Sequence, residues 1–138
     1  MTRRKVLFIL SNLRVGGAQR TVLNILRHID RSRFECSLAL LELDKRLPYS
    51  ELVPDDISVI DLGISRGRYA PVGIVGLMKR IRPDAVFSTS YQVSVALAVA
   101  HLLIRAESRL VLRESNYTQV GVNTSWLRSR LRLSLIHI

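Results

Sequence analysis

Two adjacent glycines, Gly16-Gly17, stand between an aliphatic run and an amphipathic stretch, and Arg20 follows three residues later. Glycines at such a junction let backbone amides at a helix N-terminus approach a phosphate, with the positive end of the helix dipole behind them. The same pair can instead serve a tight turn that needs positive φ and binds nothing. Arg20 favours the first reading. A cation in the first turn of a helix is mildly unfavourable by itself, and a bound anion offsets that. Two other segments, Ser88-Thr89-Ser90-Tyr91-Gln92 and Arg113-Glu114-Ser115-Asn116, are rich in hydrogen-bonding side chains and directly follow apolar runs. Gly16-Gly17 makes neither the dinucleotide fingerprint G-x-G-x-x-G nor a P-loop, because no Lys-Ser/Thr follows. A dehydrogenase or an NTPase is disfavoured. The histidines His28, His101 and His137 are scattered without paired carboxylates, so no metal site is expected. His101 lies in an almost wholly apolar stretch and reads as a satisfied core residue.

The elements that position these segments follow from periodicity. Val6 to Leu10 is a continuous aliphatic run with Phe8, the pattern of a strand covered on both faces. Val22, Ile25, Leu26 and Ile29 recur at helical spacing. Further strands are expected over Cys36 to Leu43, Ile57 to Ile60, Ala85 to Phe87 and Leu110 to Leu112. Pro71 opens a second helix with an apolar stripe of Val72, Val75, Met78 and Ile81, ended by Pro83-Asp84. Val93 to Ile104 reads as a helix apolar almost all round and therefore sandwiched. Ser88 and Ser90 are candidate N-caps for it. Strands alternating with helices imply right-handed crossovers and a parallel sheet covered on both faces, an α/β Rossmann-like fold. If the first and fourth strands are neighbours, the three polar segments meet where the strand order reverses, outside the strands' carboxyl ends.

Bulk composition limits the partners. At 138 residues, with 48% hydrophobic and 23% charged residues, the chain has the make-up of one globular domain. Its net charge of +10 points to an anionic partner. Aromatics are only 6%, so a stacking platform for single-stranded nucleic acid is short of rings, and nucleic acid ranks below a phosphorylated ligand or an anionic membrane surface. The lone Cys36 excludes an internal disulfide, suits a reducing compartment and reads as a small core residue. The basic N-terminal stretch is too short for a signal peptide and no apolar run is long enough to span a membrane, so a cytoplasmic protein, peripheral on the inner membrane face, is expected.

The block from Lys5 to Leu26, centred on Gly16-Gly17-Ala18-Gln19-Arg20, resembles the opening of glycosyltransferase family 4 proteins. Arg82-Pro83-Asp84-Ala85-Val86-Phe87-Ser88-Thr89 and Leu112-Arg113-Glu114-Ser115-Asn116 agree in order and spacing. The resemblance implies the N-terminal half of a GT-B enzyme, two Rossmann-like domains facing a cleft. It implies a retaining transfer of sugar from a nucleoside-diphosphate donor to a glycan or lipid-linked acceptor, with no metal and no cofactor besides the donor. Gly16, Gly17 and Arg20 inherit the donor diphosphate, while Ser90, Tyr91, Gln92, Arg113, Glu114 and Asn116 fall to the acceptor. Gln19 stands where a glutamate is common. No histidine follows the fourth strand as it does in many members, so no catalytic residue is assigned. The alternative is a non-catalytic α/β domain binding an anionic metabolite.

Residues 1–125 are thus expected to form the acceptor-side domain, which by itself should transfer no sugar, since it supplies one wall of the cleft. The segment 126–138 is expected to be a truncated or non-native tail. Leu127, Leu131 and Leu135 fit one face of a basic helix, although Leu and Arg also alternate there with strand period. Arg128, Arg130 and Arg132 beside Trp126 could meet an anionic membrane.

Overall fold

Because β1 (Arg4–Leu10) is apolar at every position from Val6 on, that part has no side to turn to water, and Leu7 to Leu10 are buried accordingly. In the computed structural model, which describes residues 2–113 and the backbone of Leu133–Ile136, Leu7 and Ile9 face one layer and Phe8 and Leu10 the other. The chain continues as α1 (Gly17–His28), β2 (Phe34–Leu40), β3 (Ser58–Asp61), α2 (Ala70–Ile81), β4 (Ala85–Ser88), α3 (Tyr91–Ile104), β5 (Arg109–Arg113) and β6 (Leu133–Ile136). Short 3-10 turns at Ser50–Leu52 and Gly67–Tyr69 precede β3 and α2.

The described strands form one sheet in the order β3-β2-β1-β4-β5-β6, every pair parallel. β1 pairs on one side with β2 (Val6 opposite Cys36) and on the other with β4 (Leu7 opposite Val86). The chain first winds outward through β2 and β3, then crosses back over α2 to start β4, so the strand order reverses between β1 and β4 as expected. The fold is the α/β, Rossmann-like parallel sheet that the sequence implied.

Helix α1 packs Val22 and Leu26 on Phe8, Leu10, Leu38 and Leu40. Helices α2 and α3 pack Ile74, Leu77, Val93 and Leu97 on Leu7, Ile9, Val86 and Leu110 on the opposite face. Each fully buried Leu or Ile contributes about 1.5–3 kcal/mol, which identifies these two layers as the main source of stability. Cys36 is a core residue, and burial pushes its thiol pKa up. His101 is likewise buried, its Nε2–H donating to the Ser108 carbonyl at 2.8 Å.

Three expectations are corrected. Of the stripe expected on α2, Met78 is buried and Val75 and Ile81 pack partly against the core, but Val72 is 73% exposed, and the buried face is completed by Ala70, Ile74 and Leu77. Helix α2 begins before Pro71, at Ala70, and that frame places 70, 74, 77 and 78 on one face. Helix α3 is not sandwiched: Val95, Val99, Leu102 and Leu103 are exposed along one flank. A helix whose outer residues are as apolar as its inner ones gives no periodic signal for its orientation. Finally, of the helical and strand periods that the tail carries, Leu133–Ile136 follows the strand and not the basic helix, because the open edge of β5 offers main-chain partners to a segment of strand period. The remaining tail residues, including Trp126, Arg128, Arg130 and Arg132, lie outside the described residues. Among the described residues no helix is long and apolar enough to cross a membrane.

One polar contact fastens the carboxyl end of α1. Arg31 donates both to the Leu26 carbonyl and to Asp56, forming an ion pair that ties α1 to the segment before β3. The hydrogen bond from Arg31 holds the Asp56 carboxyl below its usual range. A depressed carboxylate pKa adds stability above the unfolded-state value and loses it as pH falls through the folded value. Asp56→Asn should therefore lower the melting temperature at pH 7 and narrow its gap to wild type by pH 3, below the ordinary carboxylate range. A gap unchanged between the two pH values in thermal melts would contradict this.

Candidate functional site

The loop leaving β1 is pinned before it turns. Leu13 is fully buried, and the Asn12 side chain accepts from the Arg14 amide at 3.1 Å. The chain then enters α1 through Gly16, whose φ of −177° and ψ of 158° are extended. The only positive-φ glycine among the described residues is Gly63. The alternative reading of Gly16-Gly17 as a turn needing left-handed backbone is therefore excluded.

Space separates the two glycines. A Cβ at Gly16 would sit 2.6 Å from Gln19 Oε1, a flexible side-chain end that can swing away. A Cβ at Gly17 would meet nothing within 4 Å. Neither backbone conformation nor packing within the chain demands glycine at position 17.

The helix start around it is electrostatically bare. No side chain caps the N-terminus of α1, and its first turn holds no acid. The Arg20 amide donates back to the Gly16 carbonyl at 3.0 Å, leaving the amides of Gly17, Ala18 and Gln19 at the open end. Arg20 itself is exposed. Helix α3, by contrast, is capped: Ser90 is its N-cap, and its hydroxyl accepts from the Val93 amide at 3.4 Å. Ser88 is no cap. It ends β4 fully buried, accepting from the Ser94 hydroxyl at 3.3 Å.

The loop after β1, the segment after β4 and Arg113, the one described residue of the third segment, come together at the carboxyl ends of β1, β4 and β5. Thr89, fully buried just after β4, donates from Oγ1 to the Ala18 carbonyl at 3.5 Å. Arg113, the last residue of β5, donates from Nη1 to Thr21 Oγ1 at 2.8 Å. Tyr91 and Gln92 open α3 and are exposed beside this junction. Glu114 and Asn116 lie outside the described residues. Thr21 is the residue that sequence reading missed as part of the site, and Thr89, inside a named segment, was given no contact there; their bonds span 92 and 71 residues, and no local pattern signals them. A separate groove of about 490 Å³ at the opposite, amino end of the sheet is lined by Met78, Lys79, Arg82, Asp84, Glu107 and Ser108. It mixes both signs of charge and sits away from the strand-order reversal.

No family model matches the chain, and no curated protein matches it in sequence. Solved structures do. The crystal structure of MurG from Acinetobacter baumannii superposes at a TM-score of 0.67 with 15% identity, over 97% of this chain and 41% of MurG. The lipopolysaccharide outer core galactosyltransferase WaaB, in its apo form, gives 0.61 at 15% identity, over 78% of this chain and 32% of WaaB. Phytolacca americana UGT2, complexed with UDP-2-fluoro-glucose and pterostilbene, gives 0.53 at 12% identity, over 82% of this chain and 31% of UGT2. These neighbours are glycosyltransferases of GT-B architecture, and the likeness is one of fold. The chain spans about two fifths of MurG and a third of the other two.

The geometry at position 17 has a measurable consequence. Gly17→Ala places a methyl group in open space and removes backbone freedom from the unfolded chain, so stability should stay level or rise by up to about 1 kcal/mol. A clear drop in melting temperature would mean that glycine serves the fold here after all.

Proposed function

We propose that this chain is the acceptor-side domain of a glycosyltransferase of family 4 type, which moves a sugar with retention from a nucleoside-diphosphate donor to a glycan or lipid-linked acceptor. The donor diphosphate meets the amides at the start of α1, around Gly16 and Gly17, with Arg20 adding positive charge. Ser90, Tyr91, Gln92 and Arg113, with Glu114 and Asn116, belong to the acceptor side. The observation that carries this reading is Gly17. A glycine that neither φ nor packing requires, at an uncapped helix start on the strand-order reversal, is explained by something outside the chain that must come close.

The chemistry follows from charge. Breaking the sugar–diphosphate bond builds negative charge on the leaving phosphate. Fixed amide dipoles aimed at that charge lower the barrier without having to reorganise. Amides and a helix dipole supply this from one wall only. Full stabilisation needs donors from the facing wall, so in this reading the chain alone binds the nucleotide weakly and does not turn it over. The likeness of fold to these glycosyltransferases supports the assignment of substrate class, as does the net charge of +10.

A non-catalytic anion-binding domain would use the same amides, and the nucleotide separates the two. UDP should bind the wild-type chain with a Kd on the order of 1 mM, roughly 4 kcal/mol, more tightly than inorganic phosphate does. Gly17→Val puts a branched side chain where the phosphate must approach. It should weaken UDP binding at least tenfold while the melting temperature stays close to wild type. Calorimetric titration decides the matter: UDP affinity indifferent to Gly17→Val would remove the reading, and phosphate binding as tight as UDP would favour the anion-binding domain.

A further inference from the structure

The bond from Arg113 to α1 does more than join two elements. Thr21 Oγ1 accepts from Arg113 Nη1 at 2.8 Å and donates to the Gly17 carbonyl, four residues back in the helix, at 2.9 Å. The hydroxyl spends its proton on one partner and a lone pair on the other, so each bond strengthens the next. A trans peptide is planar, with its C=O and N–H pointing in opposite directions. Holding the Gly17 carbonyl therefore fixes the direction of the Ala18 N–H, which lies in the same peptide plane. Thr89 acts on the next plane: its bond to the Ala18 carbonyl, at 3.5 Å, orients the Gln19 N–H. Two amides at the open start of α1 are thus aimed by residues that end or follow two different strands, β5 and β4.

Arg113 holds this position at a cost. Its Nε is buried with no hydrogen-bond partner among the described residues. A buried donor without an acceptor is destabilising, and a guanidinium near the positive end of a helix adds repulsion. An aliphatic side chain ending β5 would avoid both.

We infer that Arg113 is a positioning residue: through the Thr21 hydroxyl it sets the direction of the Ala18 amide for a diphosphate oxygen, with Thr89 setting that of Gln19. This rests on the proposal above that the α1 start receives a diphosphate, and it gives Arg113 a role besides the acceptor. The relay is in series, so cutting it at either end should have one and the same effect.

Two measurements on the whole chain test this, with inorganic pyrophosphate as the probe. In an NMR titration, Arg113→Met and Thr21→Val should each weaken pyrophosphate binding about tenfold, and the double variant should be no worse than either alone. Thr21→Ser, which keeps the hydroxyl, should bind as wild type does. Hydrogen exchange on the free chain supplies the second readout. The amides of Arg20, Thr21 and Val22 should exchange about tenfold faster in Arg113→Met and Thr21→Val, while amides in β1 and β4 stay unchanged. Thr21→Val keeps the side-chain shape and carries the test if Arg113→Met does not fold. Losses that multiply in the double variant would mean that Arg113 touches the ligand itself, and would overturn the relay. Unchanged exchange in both single variants would overturn it too. Absence of pyrophosphate binding in wild type would sink the diphosphate reading instead, leaving exchange to decide the relay.

Discussion

The pairing of β1 with both β2 and β4 is the constraint on which everything else rests. A strand apolar at Leu7, Phe8, Ile9 and Leu10 has to be covered on both faces, and parallel neighbours can be reached only by crossovers long enough to hold helices. Right-handed crossovers then send α1 to one face and α2 and α3 to the other. With β1 in the middle, the chain leaves it in one direction and returns to its other side. The connections after β1 and β4 diverge there and leave a crevice. The site is where it is because β1 and β4 are the two central strands and the order reverses between them.

That crevice is shaped by main chain more than by side chains. Its centre is a helix start with no cap, no acid and a glycine whose missing side chain leaves open space. The surroundings tie that start down: Thr89 from the end of β4, and Arg113 through Thr21 from the end of β5. A helix N-terminus left unneutralised and held from two sides has the electrostatics that the proposed diphosphate site requires. The excess of basic residues over the whole chain, +10, adds a favourable long-range field for the same class of ligand.

Much of this was legible in the sequence where burial imposes a simple period. The enclosed strands announce themselves as aliphatic runs, and Pro71 and Ser90 mark helix starts through their own backbone chemistry. Where burial is one-sided the period misleads. Val72 fits an apolar stripe yet points to solvent, and the outer flank of α3 is as apolar as its core side. The tail carried both periods, and main-chain pairing with β5 settled Leu133–Ile136 as strand. For the site, the ends of the apolar runs located the segments after β1 and β4, and Arg113 at the end of β5. The bonds that join them were hidden, since Thr21 and Arg113 stand 92 residues apart and only the sheet brings them together. The glycines were read both for the close approach of a phosphate and for backbone freedom; the extended Gly16 and the absence of positive φ at both remove the second ground.

The central claim is that negative phosphate charge settles at the start of α1 and nowhere else on the described surface. The most direct measurement is to add UDP to the isotope-labelled chain and map which backbone amides shift in two-dimensional NMR spectra. The account predicts the largest shifts at Gly16 to Arg20, with smaller ones at Thr89 to Gln92 and at Arg113. Shifts centred on the groove at the amino end of the sheet, around Arg82 and Ser108, or the absence of any saturable shift at Gly17 and Ala18, would contradict it.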